Sequence, residues 1–342
     1  MVETALVEDL EYIVKYGLPY DRLKNTSVLV TGATGLIGVS IVRALLAIGK
    51  VRVIAFVRNI EKAMQIYGGK NSNLEFIIGD ITETIKIEGT VDYIIHCASV
   101  TTSKIMVEKP VETLVTSIEG TRNILNLAYE KKCQSVVYIS SMEMYGAFSS
   151  SEKDITEDDL GFIDPLKVRS NYPESKRLCE NMCVAYLSEY GVPVKIARLA
   201  QTFGAGILPG ENRVFAQFAR SAMNCEDIIL HTKGLSEGNY CYTRDCITGI
   251  FTILLQGKDG EAYNVANPAS HTTIVEMAQM VCERIANGKI KVVFDIPESN
   301  TFGYAADTKM KLNSDKLQNL GWKPEVGLEE AYRRMIRDMQ ES

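Results

Sequence analysis

The chain has 342 residues, of which 46% are hydrophobic and 23% charged, a composition that excludes a mostly disordered, collagen-like or coiled-coil protein. At about 150 residues per domain, this length predicts two domains, or one large domain with an added lobe. The formal net charge is −6 and the isoelectric point is near 5.4. This acidity argues against sequence-independent nucleic-acid binding, because such binding needs a basic surface that displaces counterions.

Strand and helix patterns alternate along the first 200 residues. An acidic segment, residues 1–25, precedes them and is predicted to be helical around Val7–Tyr16. The predicted strands are Ser27–Thr31, Val51–Val57, Leu74–Ile78, Asp92–His96, Ser135–Ser140 and Val194–Arg198, and the predicted helices are Leu36–Ile48, Glu61–Tyr67, Pro110–Lys131 and Pro173–Tyr190. This repeat predicts an α/β fold of the Rossmann type, a doubly wound parallel sheet with helices on both faces.

The pattern changes after about residue 200, where a smaller α+β lobe is predicted. Its helices are expected at Arg213–Met223, Asp245–Gln256, Thr273–Ala286 and Leu328–Met339, and its strands at Ile228–His231 and Ala262–Val265. We therefore expect a helical appendage (1–25), a Rossmann domain (26–200) and a mainly separate lobe (201–342), with 240–256 returning to the Rossmann domain.

Export, membrane insertion and metal binding are all disfavoured. The first 25 residues lack an apolar run behind a basic start, so we expect no signal peptide and a cytoplasmic protein. The most apolar stretch, Ser27–Ile48, is broken by three glycines and Arg43, so it is not a membrane span. Eight cysteines without a CxxC pair and only three histidines predict reduced thiols and no metal site.

A glycine-rich turn lies between the first strand and the first helix of the repeat, in Val28–Gly38 (VLVTGATGLIG). Gly32 permits a tight turn, Gly35 lets the backbone approach a pyrophosphate, and Gly38 permits close packing of helix on strand. The free N–H groups and positive dipole of the helix then favour phosphate. This context predicts dinucleotide binding. The other turn residues in the predicted cofactor site are Thr34, Leu36 and Ile37.

The second strand ends in Ala55-Phe56-Val57-Arg58-Asn59, and this ending bears on the choice of cofactor. An acidic residue here would bind the ribose hydroxyls and favour NAD. None is present, and Arg58 is able to pair with a 2′-phosphate, so NADP is favoured over NAD. The alternative is that Arg58 stacks on adenine or is simply solvated.

Tyr172 and Lys176 form a YxxxK pair (YPESK) on one face of a predicted helix. A neighbouring ammonium is expected to lower the phenol's pKa from near 10, so that Tyr172 takes a proton from a hydroxyl as hydride leaves the same carbon. Ser141, at the end of the fifth strand, is positioned to hydrogen-bond the reacting oxygen. In extended backbone Glu143 points the same way and would be a second acid or base, rather than a solvated glutamate.

Several segments together resemble the NAD-dependent epimerase/dehydratase family of the extended short-chain dehydrogenase/reductase superfamily. They are TGATGLIG, Asp80 in IIGDIT, His96-Cys97-Ala98-Ser99, EGTRNIL, SSMEMYG, YPESK, RLAQTFG and LGWKPEVGLEEA. The resemblance implies a catalytic triad of Ser141, Tyr172 and Lys176, with Lys176 also binding the nicotinamide ribose. It also implies that Asp80 contacts the adenine of the cofactor. The other residues that it places in the cofactor site are Ile81, Ala98 and Ser99.

The resemblance implies a nucleotide-diphosphate-sugar substrate, bound largely by the lobe. In such enzymes NAD(P) oxidises a sugar hydroxyl to a ketone, which permits epimerisation, water loss or decarboxylation before hydride returns. Ser141-Met142-Glu143 is similar to the Thr/Ser-x-Glu of hexose 4,6-dehydratases and UDP-glucuronate decarboxylases. Met142 stands where dTDP-glucose dehydratases carry an acidic Asp.

The substrate side departs from the family pattern at three positions. Gln201 replaces an Asn, Gly238 replaces an Arg, and Lys309 is the candidate for a third basic position near the C-terminal lobe. Gln201 and Arg213, the latter in GENRVFAQFA, are the predicted substrate-binding residues, and Arg213 and Arg244 are the candidates to compensate for the lost groups. Either the nucleotide sugar is unusual or the ligand is of another kind.

Two other functions stay open: an NADPH-dependent reductase of a keto-sugar or other carbonyl, and a non-catalytic dinucleotide-binding module. A homodimer is expected by resemblance, through the helices Val111–Lys131 and Pro173–Tyr190, although the core helices of a monomer have the same amphipathic pattern.

Overall fold

The structure, a computed structural model, describes residues 4–68, 71–148, 153–208, 210–297 and 308–341. Residues 1–3 of the predicted appendage lie outside these ranges. The helices are α1 Ala5–Lys15, α2 Leu36–Ile48, α3 Ile60–Tyr67, α4 Ser103–Glu108, α5 Pro110–Lys131, α6 Asn171–Tyr190, α7 Val214–Asn224, α8 Thr243–Gln256, α9 Ile274–Met280, α10 Asp315–Gln318 and α11 Leu328–Glu341. The strands are β1 Ser27–Thr31, β2 Arg52–Val57, β3 Leu74–Ile78, β4 Tyr93–His96, β5 Ser135–Ser141, β6 Val194–Leu199, β7 Gln201–Phe203, β8 Ile228–Leu230, β9 Glu237–Gly238, β10 Tyr240–Tyr242, β11 Ala262–Val265, β12 Thr272–Thr273 and β13 Val292–Phe294.

Seven strands form one parallel sheet in the order β11-β6-β5-β4-β1-β2-β3. Every residue of β1 is buried, as expected for a strand with helices on both faces. The strand order reverses at β1, which lies between β4 and β2, and open α/β sheets bind ligands beside such a switch point. The predicted Rossmann-type fold is confirmed.

The second lobe has its own apolar core, built mainly from α7, α9, α11 and the short strands. Phe203 stacks on Phe215 with ring centroids 4.8 Å apart, and Tyr332 packs against Phe203 at 5.1 Å. Among the described residues of this lobe the strands pair in twos: β7 with β10, β8 with β13 and β9 with β12. This is the predicted α+β lobe.

Helix α8 joins the two parts, because it packs against α2, β5 and β6 of the Rossmann sheet while β10, just before it, pairs with β7. Nearly all of α8 is buried, and Ile250 and Phe251 share a core with the central strands. The assignment of residues 240–256 to the Rossmann domain stays a prediction.

Two expectations about local structure were wrong. The predicted helix Thr273–Ala286 is not continuous: α9 begins at Ile274 with a capping box between Thr273 and Glu276, and a π-helical turn follows it at Val281–Ile285. Helix α4 was not predicted, and neither were the strands β7, β9, β10, β12 and β13. Elements of two to six residues are too short to show a period in the sequence.

No helix within the described ranges is long and apolar enough to span a membrane.

The N-terminal helix α1 connects both parts of the molecule by packing against α2, α8 and α11. Its buried Asp9 accepts a hydrogen bond from the Tyr242 hydroxyl at 2.5 Å and pairs with Arg334 at 3.1 Å. Tyr12 lies under the guanidinium of Arg244, 3.7 Å from the ring centroid. Burial raises the pKa of Asp9 to about 6, against the opposing effects of Tyr242 and Arg334.

We predict that Asp9→Asn flattens the pH dependence of stability. The pKa of Asp9 rises from 3.8 to about 6 on folding, so its stabilising contribution is complete below the unfolded value and lost as pH rises through the folded one. The melting temperature of the wild type should therefore fall relative to that of Asp9→Asn between pH 4 and pH 7. Thermal unfolding at each pH measures this, with Glu11→Gln as an exposed control on the same helix. A constant difference for Asp9→Asn would contradict the assignment.

Candidate active site

The glycine turn at the end of β1 is shaped by backbone contacts. Gly32 has φ of +63°, and a Cβ there would lie 2.8 Å from the backbone nitrogen of Ala98. A Cβ on Gly38 would lie 2.3 Å from the carbonyl oxygen of Gly32. Gly35 differs, since its Cβ would meet only that oxygen, at 3.4 Å. Gly32 and Gly38 are thus needed for the turn itself, whereas Gly35 leaves open space above it.

Helix α2 begins at this turn and presents an uncapped N-terminus. Gly35 is its N-cap and provides no side-chain hydrogen bond, and the first turn holds no acidic residue. The positive end of the helix dipole is therefore left for an external anion. The Ser99 hydroxyl, after β4, is buried without a hydrogen-bond partner among the described atoms. An orphaned donor and an uncapped helix suit a bound dinucleotide. Thr34, Leu36 and Ile37, the other predicted turn residues, are partly buried.

Two predicted adenosine-side residues lie at the ends of β2 and β3. Arg58 is exposed, and its charge contributes to holding the pKa of Asp80 below its usual value, although the hydrogen bonds from Thr82 have the larger effect. Those bonds run from the Thr82 backbone nitrogen at 2.9 Å and its hydroxyl at 2.7 Å, so Asp80 is also a turn residue. Ile81 is buried and packs against Gly120 of α5.

Behind the turn, buried hydrogen bonds join β1 to β4. The Thr31 hydroxyl contacts the Nδ1 atom of His96 at 2.7 Å and accepts from the Ala98 backbone nitrogen at 3.1 Å. Burial, together with the charge of Lys176, lowers the pKa of His96 to about 3, so its ring is neutral. The Tyr67 hydroxyl donates to the Ala33 carbonyl and braces the turn from α3. Sequence reasoning did not identify Tyr67 or Thr31.

The three predicted catalytic side chains meet at the end of β5. Ser141 lies near enough to the Tyr172 phenol to act on its pKa, and the Ser141 hydroxyl accepts a hydrogen bond from the Glu143 backbone nitrogen at 3.2 Å. The Lys176 ammonium donates to the Ile139 carbonyl at 2.9 Å and lies 5.6 Å from the Tyr172 ring centroid. A phenol, a hydroxyl and an ammonium thus form one cluster.

Burial dominates the titration of this cluster. It raises the pKa of Tyr172 above its usual value, and the nearby Glu143 adds to the effect, while Ser141, Arg169 and Arg213 oppose it. The expectation that Lys176 lowers this pKa overall is wrong for the structure as it stands, because desolvation outweighs the positive charges. Burial also lowers the pKa of Lys176, to about 8. At neutral pH Tyr172 is protonated and Lys176 is mostly charged.

The backbone that places Glu143 near the site is a 3-10 turn and not the predicted extended strand. Strand β5 ends at Ser141, and Met142–Tyr145 is a 3-10 turn capped by Ser141, so the argument from extended backbone was wrong. The Glu143 carboxylate is nevertheless held near Tyr172 by Arg169, whose Nη2 donates to it at 2.9 Å. Arg169 itself lies 5.8 Å from the Tyr172 ring centroid. Sequence reasoning missed Arg169, which lies three residues before Tyr172 in the 3-10 turn Val168–Ser170 that precedes α6.

The second lobe brings Arg213 towards the cluster, since its charge acts on the Tyr172 phenol. Arg213 is the N-cap residue of α7, pairs with Glu211 through two hydrogen bonds of 3.0 and 2.7 Å, and lies over the Phe215 ring at 4.9 Å. Gln201 is partly buried on β7, beside Tyr240 of β10. Both predicted substrate residues therefore belong to elements that follow β6.

The other departures from the family pattern lie close together. A Cβ on Gly238 would lie 3.9 Å from Cε of Met142 and from the Met310 carbonyl. Lys309 pairs by a backbone bridge with Glu237, the residue before Gly238.

Arg244 lies elsewhere, among Tyr12, Asp245 and Glu325, where it joins α8 to the N-terminal helix. The structure therefore gives Arg244 a packing role. Within the described ranges no cluster of three metal-ligating side chains occurs, and all eight cysteines are free thiols.

Two glycine substitutions should separate turn geometry from cofactor binding. Gly38→Ala forces its Cβ against Gly32, so we expect a loss of roughly 1–3 kcal/mol in stability and of cofactor binding. Gly35→Ala should keep the wild-type melting temperature and weaken cofactor binding by about tenfold or more, because the methyl group occupies the space for phosphate. Calorimetry with NAD⁺ and NADP⁺ and thermal unfolding measure both. Gly17→Ala, with open space around it, is the control. Equal destabilisation by the two substitutions would contradict this division.

Comparison with known proteins agrees with this geometry. The sequence model of the NAD dependent epimerase/dehydratase family matches residues 28–266. UDP-glucuronic acid decarboxylase 5 of Arabidopsis thaliana is 30% identical over 326 residues, covering 92% of this chain and 90% of that protein.

Two solved structures share the fold. The epimerase Mth375 of Methanothermobacter thermautotrophicus has a TM-score of 0.80 at 22% identity and covers 100% of this chain and 97% of its own. The dTDP-glucose 4,6-dehydratase of Bacillus anthracis, in complex with NAD, has a TM-score of 0.74 at 21% identity, with 93% and 97% covered. The sheet order, the glycine turn and the cluster of Ser141, Tyr172 and Lys176 agree with these matches. The chain is an enzyme of the NAD-dependent epimerase/dehydratase family.

Proposed function

We propose that this enzyme converts a nucleotide-diphosphate sugar by transient oxidation of one sugar hydroxyl, followed by return of the hydride. The observation that carries the proposal is the grouping of Ser141, the buried Tyr172 phenol and the Lys176 ammonium at the carboxyl edge of the sheet, beside the glycine turn. A cluster of this kind moves a proton to and from a hydroxyl oxygen.

The residues that would hold the cofactor are those of the turn, with Asp80 and Ile81 on the adenosine side and Ala98, Ser99 and Lys176 towards the nicotinamide. When bound, the nicotinamide accepts a hydride from a carbon of the substrate and is able to return it. The uncapped α2 N-terminus and the unpartnered Ser99 hydroxyl support this placement.

Tyr172 is the proposed acid and base at the reacting oxygen. Its proton must leave while the phenol is buried, and the phenolate is stabilised by the Ser141 hydrogen bond and by the charges of Arg169 and Arg213. Lys176 adds a further positive charge near the ring. The positive side chains thus offset the desolvation that otherwise keeps the phenol neutral.

The step between the two hydride transfers is proposed to be inversion of a carbon centre or loss of carbon dioxide. Water loss needs an acid that protonates the leaving hydroxyl. The dTDP-glucose dehydratases that the sequence resembles carry an Asp for this purpose at the position of Met142, which here is buried in an apolar cluster with Met310 and Leu312. The match to UDP-glucuronic acid decarboxylases over most of the chain supports the same choice.

Product mass tests the proposal directly. The purified protein is incubated with UDP-, dTDP-, GDP- and CDP-sugars without added reductant, and products are analysed by chromatography and mass spectrometry. We expect either an unchanged mass at a new retention time or a loss of carbon dioxide. Tyr172→Phe should lower turnover by about 10²–10⁴-fold, whereas Tyr186→Phe, on the same helix, should not change it.

A product lighter by water would overturn the choice of step. No product from the whole panel, with the protein folded and cofactor bound, would overturn the substrate class.

A second candidate function is an NADPH-consuming reductase of a keto-sugar or other carbonyl, favoured by the exposed Arg58 at the end of β2. The same residue supports a preference for NADP in either function.

Steady-state kinetics decides the cofactor preference. Arg58→Ala should raise KM for the 2′-phosphorylated cofactor by about tenfold and leave that for NAD(H) unchanged, since one charge-assisted contact is lost. Arg333→Ala, an exposed substitution on α11, is the control. Consumption of one NADPH per product would favour the reductase, and an equal effect of Arg58→Ala on both cofactors would contradict the preference.

We also propose that two copies associate through α5 and α6, which pack side by side. Their outward faces carry exposed apolar side chains, among them Val111 at 70% and Leu178 at 45% exposure. A second copy would remove these side chains from water.

A further inference from the structure

A buried ion pair lies behind the catalytic side chains. Glu180 is on α6, four residues after Lys176, and Arg198 is on β6. The Arg198 Nη2 and Nε atoms donate to the Glu180 carboxylate at 2.8 and 3.1 Å, and the two side chains are only 9% and 8% exposed. None of the catalytic steps proposed above uses this pair.

The same carboxylate also reaches the strand that ends in the catalytic serine. The Ser140 hydroxyl donates to Glu180 Oε1 at 2.6 Å, and Ser140 is the residue before Ser141. One side chain of α6 is therefore bound to β5 and β6 at once. Lys176, one turn earlier on α6, is bound to the same strand through the Ile139 carbonyl.

Arg198 extends the contacts into the second lobe. Its Nη1 donates to the Tyr145 hydroxyl at 3.0 Å, and that hydroxyl donates to Asn264 at 2.8 Å. The Asn264 amide in turn donates to the Asn313 carbonyl at 2.8 Å. A continuous hydrogen-bonded chain thus runs from α6 to the strand-like segment 308–313, which lies beside Gly238 and Met142.

Stability alone does not account for this arrangement. Removing a charged pair from water is costly, and well-packed apolar residues often stabilise a core as much. The Glu180 carboxylate instead fixes the position of α6 relative to the sheet, because its two oxygens accept hydrogen bonds from donors on two different strands.

We propose that Glu180 is a positioning residue, which with Ser140 and Arg198 holds α6 at a set distance from the end of β5 and so keeps Ser141, Tyr172 and Lys176 in one arrangement. This inference rests on the proposed function for its kinetic test. Glu180 touches none of the reacting groups and acts only through the elements that carry them.

The charge of Glu180 gives a second, independent readout at Lys176. Burial lowers the pKa of Lys176, and the Glu180 charge opposes that effect. The other titratable groups near the Lys176 ammonium are, from α6, Cys179, Cys183 and Tyr172, from β5 Tyr138, and from β4 and its end His96 and Cys97.

The kinetic test uses Ser140→Ala, which removes one hydrogen bond and leaves the ion pair intact. We expect kcat to fall by about tenfold, with KM and cofactor affinity unchanged, since one hydrogen bond to a charged group is lost. Ser135→Ala is the control, because Ser135 is equally buried on β5 and donates instead to Leu254. A kcat for Ser140→Ala within about twofold of the control would overturn the proposal.

The titration test uses Glu180→Gln, with Glu189→Gln as an exposed control on α6. Lysine labelled with ¹³C at Cε reports the Lys176 ionisation by NMR in the folded protein, without any substrate. We expect the pKa of Lys176 to fall by about one pH unit in Glu180→Gln, and the alkaline limb of kcat/KM to move down with it. An unchanged Lys176 titration in folded Glu180→Gln would overturn the proposal.

The two tests separate the two ideas. If no sugar is converted but the Lys176 titration shifts as expected, the proposed substrate fails and the positioning contact stands. If sugar is converted but Ser140→Ala or Glu180→Gln lacks its expected effect, the positioning role fails alone.

Discussion

The direction of the strands is the constraint on which this site depends. Seven strands run parallel, so their carboxyl ends meet at one edge, and the order reverses at β1. The glycine turn follows β1, Ser99 follows β4, and Ser141 is the last residue of β5. These groups therefore come together, although more than a hundred residues of sequence separate the turn from Ser141. Buried bonds such as Thr31 to His96 fix the strand ends against each other. The position of the site is therefore set by the strand ends of the sheet, and α6 adds the side chains of Tyr172 and Lys176.

Burial then sets the chemistry of that face. Removing Tyr172 from water favours its neutral form, and removing Lys176 from water favours loss of its proton. Both effects oppose an ion pair of phenolate and ammonium, so the site needs further positive charge and hydrogen bonds to reach one. Ser141, Arg169 and Arg213 provide these, and they come from a strand end, the 3-10 turn before α6 and the second lobe. The reactive state thus depends on contacts that neither Tyr172 nor Lys176 makes within its own helix.

Much of the fold and of the site was predictable from the sequence. The remaining features could not be predicted, and the reasons are physical. Period and glycine spacing indicated the sheet and the turn, because a buried strand and a helix each impose a regular pattern. The YxxxK spacing placed Tyr172 and Lys176 on one face for the same reason. Arg169 and Glu180 were missed since nothing in their local sequence distinguishes them from solvated side chains; only the packing of α6 on β5 and β6 brings them to their partners. The pKa of Tyr172 was misjudged because its desolvation is a property of the whole fold.

The part of the site that distinguishes one reaction from another lies away from the sheet edge. In the proposed function, hydride and proton transfer use the turn and the Ser141–Tyr172–Lys176 cluster, which the parallel strands position. The fate of the oxidised sugar depends on what stands on its other side, and there the chain has Met142 packed with Met310, a glycine at position 238 and Lys309 on the neighbouring segment. An apolar side chain beside the catalytic serine offers no proton to a leaving hydroxyl. The hydrogen-bonded chain from Glu180 to Asn313 ends on this same segment, so the groups that select the reaction are held by the contacts that hold the catalytic helix.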